Sequence, residues 1–185
     1  MKASNWLVYG FALSAVSMAL SACGGGGGDT SGSGGSTGSG TSAGELPQGA
    51  ADVEAWIEKG TYKSWHCEEA KHEARPPSPH AYNRICSNNI ISTNAEGAAY
   101  PQGAAAVKEL WGKEGKGIVG YAYYLKLQDD SGDGKGWYYY EKNPEIKMDG
   151  VVADGAGVEV CVSCHKAAGS DAMHGGHDYV YTQVK

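Results

Sequence analysis

Basic residues are in short supply. Fifteen lysines and arginines stand against 21 aspartates and glutamates in 185 residues, a formal charge of −6. A surface of that sign repels a phosphate backbone, so nucleic acids and other polyanions are poor partners. Long hydrophobic runs are equally scarce. The run from Trp6 to Leu20 is too short to span a bilayer comfortably. Phenylalanine is nearly missing, one residue against 12 tyrosines and five tryptophans, so most rings carry a polar tip that needs a hydrogen-bond partner when buried. Glycine is abundant instead. Of 29 glycines, 11 fall between Gly24 and Gly44 among Ser and Thr, with Asp29 as the one charge. Such a stretch has nothing to bury against its own chain entropy and reads as a tether, with a span on the order of 25 Å.

The amino terminus has the pattern of an export signal: Lys2, the apolar run, then Leu20-Ser21-Ala22-Cys23. That tetrapeptide resembles the bacterial lipobox. The resemblance implies cleavage before Cys23, acylation of Cys23 and a membrane anchor. Gly24 after the cysteine, where an aspartate would retain the protein in the inner membrane, implies the periplasmic face of an outer membrane. An ordinary signal peptide or a short transmembrane helix is the competing account. The chain is accordingly divided into a lipoprotein signal peptide (1–22), a lipid anchor with its Gly/Ser-rich linker (23–48) and one domain (49–185), an ordinary size for a domain.

Five cysteines must be accounted for in an oxidising compartment. Cys23 takes the lipid. Cys67 and Cys86 lie 19 residues apart, a spacing at which exported thiols form a disulfide, worth about 3 kcal/mol in the chain-entropy account. Cys161-Val162-Ser163-Cys164-His165 has the spacing at which two thiols add to the two vinyl groups of a haem while the next residue ligates iron. A thioredoxin-like pair uses the same CxxC spacing but within a βαβ context opening a helix. A zinc site needs a second close ligand pair, which Cys67 and Cys86 do not supply.

Patterning sets the class of fold around this motif. Ala50 to Ile57 carries Val53, Trp56 and Ile57 at helical spacing, with Asp52 as a candidate cap. Tyr82–Ile91, Ala104–Leu110, Ile118–Leu127 and Gly136–Glu141 are rich in Tyr, Val, Ile and Trp and are separated by turn residues. Short connections between successive strands predict an antiparallel sheet. Asp130 to Gly134 has some likeness to a calcium loop but lacks its full pattern, so it reads as a hairpin turn. Tyr121, Tyr123, Tyr138 and Tyr140 alternate at strand spacing, as cross-strand packing or as one wall of a pocket.

Several stretches now converge. His80-Ala81-Tyr82-Asn83-Arg84, the run Tyr100 to Leu110, Gly136-Trp137-Tyr138, the Cys161–His165 motif and Asp178-Tyr179-Val180-Tyr181-Thr182 occur in an order that resembles the cytochrome P-460 and cytochrome c′-beta family, over about residues 60–185. The resemblance implies an α+β domain, predominantly an antiparallel sheet with a few short helices, holding one covalent haem c and commonly forming a homodimer. Small cytochromes c place the motif early in a helical fold. The helical-bundle cytochromes c′ need four long amphipathic helices, which are missing here.

The resemblance also implies roles. In the catalytic branch of the family a lysine is joined to the porphyrin edge in an enzyme that oxidises hydroxylamine, and Lys108 matches that lysine. Strand periodicity places Lys108 on one face with Ala106 and Leu110, where an amine needs a partner, unless the strand is an edge and the ammonium reaches water. Arg84 matches a distal arginine, with an exposed strand residue as the alternative. A distal carboxylate is harder to place: Gly120–Gln128 offers Lys126 but no acid before Asp129, which leaves proton removal without a base. Met148 and Met173 are the methionine candidates for a sixth iron ligand. His66, His72 and His80 read as hydrogen-bonding or solvent residues, and His174 and His177 as adventitious metal binders. With no convincing sixth ligand, the iron is expected to be open or loosely capped.

Three functions follow from these expectations. The first is redox chemistry and nitric-oxide binding at an open haem held by Cys161, Cys164 and His165, with electrons exchanged through a redox partner protein. The second is hydroxylamine oxidation through a Lys108-linked haem, with Arg84 positioning the nitrogen species. The third is a six-coordinate electron shuttle.

Overall fold

The computed structural model describes residues 46–76, 78–148 and 150–185. The expected leader, Cys23 and the linker as far as residue 45 lie outside these residues.

Helix α1 (Ala50–Glu58) sits where the apolar spacing predicts it, and Val53 and Ile57 are its buried residues. Its start differs from expectation. The N-cap is Gly49 with φ 87°, and no side chain caps the helix. Tyr138 Oη accepts the Gly49 N–H at 2.8 Å and Asp154 Oδ2 accepts that of Ala50 at 3.0 Å, so the sheet satisfies orphan donors that a cap would have taken. Asp52 lies in the first turn, where its charge opposes the helix dipole. Leu46 is also in the core.

The described residues form a seven-stranded, wholly antiparallel sheet. Strands β3 (Tyr82–Ser87), β4 (Ala105–Leu110), β5 (Gly120–Lys126), β6 (Trp137–Lys142) and β7 (Ala153–Ala156) follow one another in space as in sequence. The two-residue strands β1 (His66–Cys67) and β2 (His72–Glu73) pair with opposite ends of β3. The α+β class, mostly antiparallel with a few short helices, is therefore as expected. The first strand is shorter than its composition predicts. Asn88 leaves the β ladder and accepts the Ile91 N–H through Oδ1 at 3.2 Å, capping helix α2 (Asn89–Ser92) and burying Ile91. Between β5 and β6, Asp130–Gly134 forms a tight connection with a 3-10 turn at Gly132–Gly134.

Strand alternation divides the sheet into two faces. One packs Cys86, Val107, Tyr123, Leu125, Tyr138 and Tyr140 against α1, Leu46 and Tyr62. Tyr123 and Tyr140 are direct cross-strand partners, so the alternating tyrosines are core packing. The other face packs Ile85, Ala106, Trp137 and Tyr139 against α2, helix α3 (Glu159–His165) and the C-terminal tail through Val162, Val180 and Val184. The sheet is thus the middle of three layers. Residue Cys67 faces Cys86 across β1 and β3, and their sulfurs are bonded.

Candidate functional site

Helix α3 carries the Cys161–His165 motif, and the three-residue spacing sets both thiols about one turn apart. Cys161, Cys164 and His165 line one cavity of about 290 Å³ between α3, the tail and the second face of the sheet. Both thiols are free. Burial pushes the Cys161 thiol up to about 12, which suits a neutral thiol and not the low-pKa attacking thiolate of a disulfide exchanger. The zinc alternative also lacks its ligands, because Cys67 and Cys86 are spent on each other.

His165 is held from several sides. Its Nδ1 lies 2.7 Å from the Tyr179 carbonyl. A carbonyl only accepts, so Nδ1 carries the proton and Nε2 keeps a lone pair. Tyr124, Tyr139 and Tyr181 stand edge-on to the imidazole, with ring centroids 6.0, 5.4 and 5.7 Å away. Tyr181 is fixed in turn by donating to the Cys164 carbonyl at 2.8 Å. Burial pulls the imidazole down to about 4, against the opposing pull of the Tyr179 carbonyl. The ring is therefore neutral at physiological pH, the form that ligates metals.

Across the cavity, one register row of the sheet reads Ile85, Lys108, Ala122, Glu141, Ala153 on β3 to β7. Lys108 and Glu141 flank Ala122, two strand spacings or roughly 9–10 Å apart along the row, and Ala122 leaves the room above it open. His80 bridges them. Its Nδ1 is 3.3 Å from Lys108 Nζ and its Nε2 is 3.3 Å from Glu141 Oε2. Burial pulls the Lys108 ammonium down to about 8, partly opposed by Glu141 and Glu68. Burial also acts on Glu141, raising its carboxyl, but the His80 hydrogen bond and charge, Asn143 and Lys108 outweigh it and hold the group below the usual carboxylate range. The site therefore contains a carboxylate base that the sequence search of β5 did not find. Glu141 sits on β6, and only the register places it beside Lys108.

Arg84 lies on the other face of the sheet from the cavity. Ile85 and Lys108 face the cavity, so Arg84 and its partner Glu109 point to the α1 side. There Arg84 Nε donates to the Glu68 carbonyl at 2.9 Å, and its guanidinium lies 3.6 Å from buried Glu109. It does not line the cavity. The arginine that does is Arg75, whose Nη2 donates to Glu68 Oε1 at 2.7 Å. Met148 is 84% exposed and off the cavity wall, whereas Met173 lies on its rim and is 72% exposed. Neither is buried as a methionine ligand to iron normally is. His72 pairs with Glu68, His174 with Asp171, and His177 Nε2 donates to the Ala98 carbonyl, while His66 is exposed.

No family model and no curated protein matches the chain.

Proposed function

We propose that the chain is a mono-haem c-type cytochrome of the cytochrome P-460 and cytochrome c′-beta type, with Cys161 and Cys164 attached to the haem, His165 on the iron and the opposite side of the iron open to small nitrogen ligands such as nitric oxide. The observation that carries this reading is the half-buried His165, its Nδ1 proton donated to the Tyr179 carbonyl and its Nε2 unprotonated, on the wall of the cavity that also holds both thiols. The donor set fits the group. Two thiols one helical turn apart suit the two vinyl positions, and the imbalance of apolar and aromatic walls over polar ones suits a porphyrin face. Bound haem supplies a redox-active iron that takes small diatomic and nitrogen ligands.

The chain's own residues do the rest. Tyr179 and the three tyrosine rings fix the imidazole, as a ligating histidine requires. Lys108, His80 and Glu141 provide donors and an acceptor within the cavity, while the exposed Met148 and Met173 offer the six-coordinate shuttle no buried methionine. A second reading, oxidation of hydroxylamine with Lys108 joined to the haem edge, is favoured by that same cluster. Burial lowers the cost of the neutral amine at Lys108. The Glu141 carboxylate, hydrogen-bonded to His80, is the base for protons leaving a nitrogen substrate. Lipidation at Cys23 and a position on the periplasmic face of the outer membrane complete the proposal.

The test is protein produced with a working c-type maturation apparatus. Intact mass is expected to show one haem on the polypeptide. An ordinary high-spin ferrous spectrum supports the open haem, a broad red-shifted Soret band supports the Lys108 bond, and sharp low-spin α and β bands support the shuttle. A colourless product without a thioether adduct overturns all three.

A further inference from the structure

We infer that the buried Lys126–Asp178 pair is a positioning device for the proximal imidazole: it imposes the turn that aims the Tyr179 carbonyl at His165 Nδ1. This rests on His165 being the iron ligand proposed above. Lys126 lies on β5, on the same face as Ala122 and Tyr124, and its side chain is fully buried. An ammonium in that position is unfavourable unless its protons are used. They are used. Nζ donates to Asp178 Oδ2 at 2.8 Å and to Ser131 Oγ, and it lies 4.7 Å over the Trp137 ring. The carboxylate is equally occupied: Oδ2 also accepts the Tyr100 N–H at 2.8 Å, and Oδ1 accepts the Ser131 hydroxyl. Trp137 Nε1 donates to Ser131 Oγ at 3.1 Å, closing the network. Asp178 is thereby tied to β5, to the β5–β6 connection and to the segment before β4.

A buried ion pair is weak as a stabiliser, since apolar replacements are often as good, and its better-attested use is to specify one conformation. The conformation specified here is visible in the backbone. His177 and Val180 exchange hydrogen bonds of 3.0 and 2.8 Å, closing a turn whose central residues Asp178 and Tyr179 have φ of 44° and 67°. Turns with both central residues at positive φ are those that Asn-Gly forms unaided. A tyrosine in that region needs its surroundings to hold it there. The locked Asp178 carboxylate holds this one, and the next carbonyl accepts the Nδ1 proton at 2.7 Å. That bond sets the rotation and the basicity of a ligating imidazole.

The test uses the haem-loaded protein, with haem on the wild-type chain verified first by mass. A wild-type chain without haem overturns the functional proposal, and this inference with it. With haem present, Asp178→Asn is expected to lower the ferrous iron–histidine stretching frequency in resonance Raman spectra and to raise the midpoint potential, because Nδ1 loses its acceptor. Asp178→Asn combined with Tyr179→Gly is expected to return both towards wild type, since Asn-Gly closes the turn without the carboxylate. A lowered unfolding midpoint with frequency and potential unchanged would mean that the pair only stabilises, and overturns the inference. A shift that the Asn-Gly variant does not reverse overturns it as well, because the effect is then one of charge and not of backbone. Should Asp178→Asn yield no folded protein, Ser131→Ala removes one hydroxyl from the network: a smaller shift in the same directions supports the inference, and no shift overturns it.

Discussion

At the scale of single residues, the cavity gathers groups that are individually unfavourable to bury. Lys108 is the clearest. Burial holds its ammonium down to about 8, against 10.5 for the free group. Between those values the unfolded chain binds more protons than the folded one, so this residue makes stability rise with pH: its penalty is fully present below about pH 8 and gone above about 10.5. Lys108→Met removes the charge that must be buried. In urea denaturation of the haem-loaded protein the variant is expected to gain stability over wild type at pH 7, with the gain shrinking as pH rises through that window. A Lys108 bonded to the porphyrin no longer titrates there, and the difference between the two proteins then stays flat with pH. The same experiment therefore separates the two leading functions. Periodicity correctly puts Lys108 on a face with Ala106, both cavity-side, because alternation is a local property. It equally puts Arg84 on the face away from Lys108's neighbour Ile85, but which face meets the cavity is settled only by what packs on each side.

At the scale of elements, α3 owes its position to a glycine. Gly134, in the β5–β6 connection, has φ 91°, and a Cβ there would lie 2.7 Å from both methyl carbons of Val162, the residue between Cys161 and Ser163 on α3. Gly134→Ala combines left-handed strain with a clash against the helix that bears Cys161 and Cys164. It is expected to destabilise the protein by about 2 kcal/mol, measured by thermal unfolding, and to lower the fraction of chains carrying haem in intact mass. The disulfide is a contrasting case. Cys67 and Cys86 join β1 to β3, and Cys86 lies in the core beneath α1, on the other side of the sheet from the cavity. Replacing both with alanine is expected to lower stability by about 3 kcal/mol in urea while leaving the optical spectrum unchanged. Four of the strands were legible because Tyr, Val and Ile alternate along them. Strand β7, Ala-Asp-Gly-Ala, was not, since nothing in that composition favours extended structure and only pairing with β6 imposes it. Helix α2 was missed for the opposite reason: the Ile-rich run reads as strand until Asn88 caps it.

At the scale of the whole molecule, one domain is proposed to hang from a membrane by a glycine-rich tether anchored at Cys23. Cys23→Ser is expected to move the haem protein from the membrane to the soluble periplasmic fraction on cell fractionation, with an unchanged ferrous spectrum, because Cys161, Cys164 and His165 all lie in the domain. No helix among the described residues is long and apolar enough to cross a membrane.

The sequence by itself determined the parts that depend on neighbours along the chain: the CxxCH spacing on one helical turn, the pairing of the two remaining thiols, the strand-rich centre and the α+β class. Proximity in space belonged to the tertiary structure alone. The β4–β5–β6 register set Glu141 opposite Lys108 across Ala122, alternation turned Arg84 away, and a buried ion pair 52 residues apart in sequence brought the tail carbonyl to His165. Spacing along a chain fixes direction only within one element, whereas a site built from four elements depends on the register and packing between them.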